Sequence, residues 1–473
     1  MSSRVLSLFR KKKQHEMDMT TGSIAGNLFA FALPLLIGNL FQQLYNMVDT
    51  WVIGQTGQNA AYAAVGSVGP IINIMIGIFS GLASGAGVVI SRYFGAKNSD
   101  GVKRAVHSAL IMTAAFSVVF TAIGVTCTPL ALRLMLGSAE SEIYANAKVY
   151  LIIYFGGMVG LLVYNMGAGI LRAVGDSRHP FYYLLVSAIT NIILDLVFVF
   201  VLHMGVSGVA WATVIAQLLS AILTVITLLR TDTSVKVTLQ DMKMDWSVLK
   251  MIVLIGFPAA IQLALTAFSN VFVQSYIAGV NTDQTAALGG WTSYTKIDQF
   301  LFLPSQSLAL SATTFVGQNL GAGNAERARQ GIRIAILMAA VVTAPSILLV
   351  MAFAPFLAAI FNPNPAIVEC ATLLLHWLTP FYMFTCVNQI LASGLRGAGN
   401  STAPMVIMLT SFVGFRQLYL FIMSNYISND LLPVAMGYPA GWAVCCLTIT
   451  LYYSFYRSRL TKKAEEQKRE AAA

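Results

Sequence analysis

Twelve apolar windows run along this chain, each long enough to cross a lipid bilayer as a helix, which takes about 20 residues. They fall at roughly 26–54, 62–91, 105–130, 146–171, 180–202, 206–229, 250–278, 285–316, 334–361, 366–394, 403–427 and 435–456. A chain with this pattern has to bury or lipid-solvate nearly its whole length, and the predicted fold is an all-α integral membrane bundle. Charged residues make up 10 % and hydrophobic residues 57 %; an ordinary soluble domain is about 25 % charged. Strict apolar–polar alternation over about ten residues, the mark of a membrane barrel, is absent. The basic N-terminus leads into a window too long for a secretory leader, with no small-residue cleavage site, so no cleaved signal is expected.

Net charge is +10, which raises the question of a polyanionic partner. The placement of the charges answers it. Of 29 Lys and Arg, 25 lie in the N-terminus, the even-to-odd connections and the C-terminus, as in Arg10 to Lys13, Arg92 to Arg104 and Arg230 to Lys250. That asymmetry is the positive-inside rule. It predicts a multi-pass protein of the plasma (inner) membrane with both termini cytoplasmic, and no nucleic-acid partner. Cys127, Cys370, Cys386, Cys445 and Cys446 show no metal spacing and are expected to serve as packing residues.

Offset by about 224 positions, the chain matches itself. ALPLLIGNLFQQLYN (32–46) lies over GFPAAIQLALTAFSN (256–270), RYFGAKN (92–98) over QNLGAGN (318–324), and LRAVGDSRHP (171–180) over LRGAGNSTAP (395–404). Each half holds six windows, an even number, so the two repeats are parallel. Such duplication is common in secondary transporters, with a site between the halves. The expected organisation is a cytoplasmic N-terminal segment at 1–25, an N-lobe at 26–229 and a cytoplasmic linker at 230–249. A C-lobe at 250–456 and a cytoplasmic tail at 457–473 complete it. The paired connections are turn sequences that clip each lobe, with Arg172 and Arg396 expected to anchor the inner interface.

Only three of 19 acids, Asp49, Asp195 and Asp298, fall well inside windows. A carboxylate there costs at least about 2.5–3.5 kcal/mol and normally faces a protein interior or a wet cavity. Asp49 and Asp195 are expected in the outer half of their spans. Asn191 sits four residues before Asp195, on the same helical face, and Thr213 reaches a similar depth. Two nearby carboxylates in a dry pocket cannot both ionise cheaply, which makes a site for a proton. Carboxylate, amide and hydroxyl oxygens equally suit a hard cation such as Na+. Both readings stay open. Gln42 and Asn46, at helical spacing before Asp49, are expected to line the cavity wall. Tyr45 and Trp51 are expected to be packing or interface residues. Pro34 removes a backbone hydrogen bond and is a candidate hinge.

The second half lacks this cluster: Val273, Phe415 and Tyr419 stand at the offset positions of Asp49, Asn191 and Asp195. It carries Lys296, Asp298 and Arg416 instead. Asp298 is expected to pair with Arg416 or to line the substrate cavity. His107, His203 and His376 lack ligand spacing and are expected to be structural.

Taken together, LPLLIGNLFQQLYNMVDTWVIG, RYFGAKN, GQNLGAGN, the two LR-x-x-G turns, NIILD and GVSGVAWATVIAQ resemble the multidrug and toxic compound extrusion (MATE) transporters of the MOP flippase superfamily. The resemblance implies a two-lobe, twelve-helix antiporter. It would export organic cations and other amphipathic compounds while Na+ or H+ flows inward, with no cofactor and no obligate protein partner. Asp49 resembles the family's first-span carboxylate. Asn191, Asp195 and Thr213 resemble the N-lobe ion-site residues of the DinF-like branch. Where the NorM branch has acids in the seventh and tenth spans, this chain has Thr266 and Thr385, which favours coupling in the N-lobe. A lipid-linked precursor flippase is the alternative, with Lys296 and Arg416 its only clear intramembrane cations. An embedded enzyme lacks support, since no P-loop, HExxH or nucleophile triad is found.

Overall fold

The computed structural model describes residues 16–55, 59–136 and 141–472, and the regular structure among them is entirely helical. The N-terminal basic run Arg10 to Lys13 lies outside the described residues. In chain order the helices are α1 Ile24–Gln55, α2 Asn59–Gly95, α3 Ser99–Leu136, α4 Glu142–Gly156, α5 Met158–Ala173, α6 Arg178–Leu196, α7 Val206–Arg230 and α8 Trp246–Ala278. They continue with α9 Gln284–Gly321, α10 Ala325–Ala352, α11 Ala354–Phe361, α12 Pro365–Leu378, α13 Tyr382–Gly397, α14 Thr402–Leu409, α15 Arg416–Ile422, α16 Leu431–Ala435 and α17 Gly437–Ala472. Eleven segments are long and apolar enough to cross a membrane. The remaining window, the fourth at 146–171, is not one straight helix. α4 and α5 bend by 48° at Gly157 and together make the fourth span. The ninth window also divides, into α10 and the short α11, because Pro355 starts a new helix after Phe353.

The repeat shows in the helix ends. α5 and α13, 224 residues apart, end in equivalent turns where Gly175 and Gly399 take φ of 87° and 77°. Only glycine adopts that conformation readily. Arg396 does not sit at the lipid interface: it turns inward and donates to Gln262 Oε1 (3.3 Å) and Ser393 Oγ (3.0 Å).

Where the halves meet, small residues bring backbones together. Gly77, Gly81 and Gly85 recur every four residues along α2 and face α8. A Cβ on Gly85 would lie 2.5 Å from Ile252 O and 2.6 Å from Gly256 N. With no hydrophobic drive between helices in lipid, such close approach is what dispersion and Cα–H contacts need. The seam continues through Gly95, Gly317 and Gly321, which close the end of α2 against the end of α9. Towards the other end the halves part. Gly66 lies on nearly the same face as Gly77, yet a Cβ there would meet nothing within 4 Å. The bundle is therefore shut at the end carrying the turns at 96–98 and 322–324, called here the basic end.

Residues 16–22 strap this shut end. Met17 N donates to Val174 O (3.2 Å) in the first half, and Met19 N to Gln318 Oε1 (2.9 Å) in the second. Gln318 Nε2 donates back across the seam to Ala173 O (3.0 Å). Arg327 donates to the carbonyls of Met19, Thr21 and Gly22. Arg327→Ala is expected to free the strap and speed amide exchange over residues 19–22 by about tenfold or more, measured by hydrogen–deuterium exchange.

α1 serves both halves. Leu28, Phe31, Ala32 and Leu35 are buried among Leu308, Ala312 and Phe315 of α9, whereas Val52 and Ile53 join the core of the first half. Pro34 stands at the changeover, inside an unbroken helix.

Candidate functional site

α1, α6 and α7 bring four polar side chains of the first half together. Asp49 lies six residues from the end of α1, and Asp195 is the penultimate residue of α6. Asn191 is one turn earlier, and Thr213 lies two turns into α7. Asp49 faces Asp195, Asn191 and Thr213. The Thr213 hydroxyl donates to Val209 O at 3.0 Å and lies 3.5 Å from Asp49 Oδ2. All four are buried, Asp195 completely. α6 passes straight into a π-helical stretch, Val197–Val201; such widened turns recur at functional sites.

What sets the cluster apart is its unmet hydrogen bonding. Asp49 Oδ1, both carboxylate oxygens of Asp195 and both amide atoms of Asn191 have no partner at ordinary hydrogen-bond geometry. Buried polar atoms are nearly always paired, and leaving them bare inside an apolar bundle is costly. Two carboxylates, an amide and a hydroxyl converge on one small space, and the Asn191 amide nitrogen and the Thr213 hydroxyl are too few donors for the carboxylate oxygens gathered there. A proton or a small hard cation satisfies them; a hydrophobic ligand does not.

Three tyrosines wall the cluster; sequence reasoning took Tyr45 for a packing or interface residue and did not single out the other two. Tyr150 lies beside Thr213 and both carboxylates, and Tyr154 beside Gln217. The two rings stack with centroids 6.1 Å apart. Their spacing of four on α4 was a usable signal, as was Gln217, four after Thr213. Tyr45 is not a lipid-interface residue: it is buried, pairs with Gln42 and faces Asp49. Trp51 is 55 % exposed. On the same face of α1, Gln42 is half-buried and Asn46 exposed.

In the second half the expected ion pair does not form. Arg416 Nη2 donates to Ser269 Oγ and Asn270 Oδ1, each at 2.9 Å, and among the described residues no carboxylate comes within salt-bridge range. The guanidinium instead lies over the Tyr438 ring, 4.6 Å from its centroid. Asp298 is half-buried on α9, without a hydrogen bond. A π-helical stretch just before Arg416 turns the residue away from the face that plain α-helical counting gives it. Thr266 and Thr385 spend their hydroxyls on their own helices, at Gln262 O and Tyr382 O (2.7 Å each). His107 accepts from Thr238 N at 3.5 Å, and His376 contacts Thr372 O at 2.9 Å.

A family profile, MatE, matches the chain twice, over residues 34–197 and again over 258–422. The chain belongs to the MATE transporter family. The two matches begin 224 residues apart and end 225 apart, so the profile and the helices agree on one duplicated unit. Relatives of this MATE protein are similar along nearly their whole length. "Probable multidrug resistance protein YoeA" of Bacillus subtilis (strain 168) is 30 % identical over 443 residues, spanning 92 % of this chain and 94 % of that one. "Probable multidrug resistance protein NorM" of Thermotoga maritima is 28 % identical, spanning 88 % and 89 %. A solved outward-facing multidrug resistance MATE transporter of the MOP superfamily shares the fold, with a TM-score of 0.89 at 23 % identity, over 95 % of this chain and 99 % of that one. This MATE protein is thus a multi-span membrane transporter and not an enzyme.

Proposed function

We propose that this transporter is a secondary active antiporter. It exports organic cations and other amphipathic drugs or toxins while H+ or Na+ enters. The observation that carries this reading is the cluster of Asp49, Asn191, Asp195 and Thr213, in which Asp49 Oδ1 and the buried oxygens of Asn191 and Asp195 are left without partners. The multidrug resistance names of its relatives support the cargo class. The basic end, cytoplasmic by the positive-inside rule, is the shut end, so the space between the halves opens outwards. An ion entering there fills the cluster and displaces cargo held along Gln42, Asn46 and Asp298. The lobes, 26–229 and 250–456, then rock about the linker 230–249 to face the cytoplasm.

Each ligand has to bind the two conformations with different affinity, or exchange drives nothing. α1 gives a route for that difference. It is tied to the second half as far as Leu35, just past Pro34, and to the first half, at Asp49, beyond it. Occupying Asp49 therefore biases how α1 bends at Pro34, where a backbone hydrogen bond is already missing.

Reconstituted in liposomes, the protein is expected to release internal Na+ or H+ on addition of an amphipathic cation, under separately imposed Na+ and pH gradients. Cargo movement unaffected by either gradient would overturn the antiport reading.

A further inference from the structure

Arg416 is, among the described residues, the only charged side chain of the second half that is more than nine-tenths buried; it is 3 % exposed. Its charge is not answered. Every acceptor around it is neutral: Ser269 Oγ, Asn270 Oδ1 and the face of Tyr438. Nη2 makes both hydrogen bonds, the Tyr438 hydroxyl lies within reach of the guanidinium, and Nε is buried with no acceptor. A guanidinium inside a membrane span is disfavoured unless an anion or a wet cavity compensates it.

Its surroundings are nonetheless fixed. The Ser269 hydroxyl donates to Phe412 O (3.0 Å) and accepts from Gln417 Nε2 (2.8 Å) as well as from Arg416. The Tyr438 hydroxyl donates to Asn270 Oδ1 (3.2 Å), so the ring over the guanidinium is held from its far end. Asn270 is exposed and Tyr438 half-buried, which puts the assembly at the edge of open space.

The repeat gives this location its meaning. α6 and α14 start 224 residues apart, at Arg178 and Thr402, but α7 and α16 start 225 apart, at Val206 and Leu431. The extra residue falls in the connecting span, which holds the π-helical stretch Thr410–Phe415. Beyond it Arg416 occupies the place of Asn191, and Tyr438 the place of Thr213. Where the first half offers oxygens to a cation, the second half offers a fixed cation and a ring. Asp298 adds an opposite charge nearby, within electrostatic reach of Tyr438 and Tyr294 and with no donor of its own.

We infer that the second half carries an anion-recognition subsite centred on Arg416. It seats a carboxylate or phosphate group of an amphiphilic cargo, and Asp298 draws a cationic centre on the same molecule. The inference rests on the transport reading for its ligand, but the subsite binds whether or not ions drive transport. The free edge of the guanidinium gives the anion charge-assisted, directional hydrogen bonds. The Tyr438 ring, 5.3 Å from Trp291 and 5.8 Å from Trp442, offers an aromatic surface for the cargo's body.

The test is equilibrium binding to the full purified chain in detergent, by isothermal titration. The probes are four amphiphiles sharing one aromatic body, bearing carboxylate plus ammonium, methyl ester plus ammonium, carboxylate plus amide, or phosphate plus ammonium. The wild type is expected to bind the first at least about tenfold more tightly than the ester. Arg416→Gln should erase that preference and leave ester binding unchanged. Asp298→Asn should weaken only the ammonium-bearing probes. The phosphate probe shows which anion the subsite prefers.

A wild type with no preference for carboxylate over ester overturns the inference without any variant. So does Arg416→Gln weakening all four probes equally, which is what a purely structural clamp would do. Arg416→Lys, retaining charge without the fork, should keep part of the preference if Arg416→Gln fails to fold. Liposome flux reports separately: charge-selective binding without ion-driven flux would sink the antiport reading and leave the subsite standing.

Discussion

Asp195→Asn is expected to uncouple the transporter, lowering ion-driven efflux from proteoliposomes by on the order of 100-fold, within the range of coupling energies between linked sites. The expectation follows from geometry rather than from charge alone. Asp195 is completely buried, and neither of its oxygens has a donor. An amide there supplies hydrogen-bond donors of its own towards Asp49. The cluster would then satisfy itself and lose its need for an ion. For the same reason the variant should fold, and its thermal unfolding midpoint should equal or exceed that of the wild type. Asp49→Asn should behave alike, because Asp49 faces the same space. Efflux that persists at the wild-type rate in both variants, with the gradients still required, would remove the cluster from the mechanism.

The second large effect lies at the seam. Gly81 and Gly85 hold α2 against the backbone of α8, with Ala260, Ile252 and Gly256 directly opposite. Gly81→Val places two methyl groups where another backbone already lies. Overpacking of this kind costs about 1–3 kcal/mol. The cost falls only on the conformation in which the seam is shut. The variant should therefore shift population towards the state open at the basic end, by roughly 5- to 150-fold. Spin labels on α3 and α10, read by pulsed electron resonance, would report the shift as a new, longer distance. Gly66→Val is the control: a Cβ at Gly66 meets nothing, and that variant should leave the distances as they are. An unchanged distance distribution in Gly81→Val would mean that the seam is not the barrier to opening.

The features legible in the sequence were those with strong local signals. Apolar windows give spans because lipid permits little else. The four-residue step from Asn191 to Asp195, with depth counted at 1.5 Å per residue, was enough to bring them to Asp49 and Thr213. The misses have physical causes. Tyr150 and Tyr154 share a helical face, but they sit in a mostly apolar window, where a wall of the site reads much like core. The Arg416–Asp298 pair was inferred from opposite charge at similar depth. Depth says nothing of rotation, and the π-helical stretch at 410–415 rotates everything after it. The Gly77, Gly81 and Gly85 series was readable as a close-packing face. The strap at 16–22 has no periodicity at all, because its backbone is held by side chains almost 300 residues away in sequence.

That strap has a consequence for anyone handling the molecule. Its hydrogen bonds run to both halves at once, so residues 16–22 stay docked only while those halves touch. Each parting of the basic end has to peel these residues off at least one half and each return has to re-seat them. A bulky domain inserted next to the strap would drag on that step, whereas a small environment-sensitive dye on Thr20 would blink with every turnover.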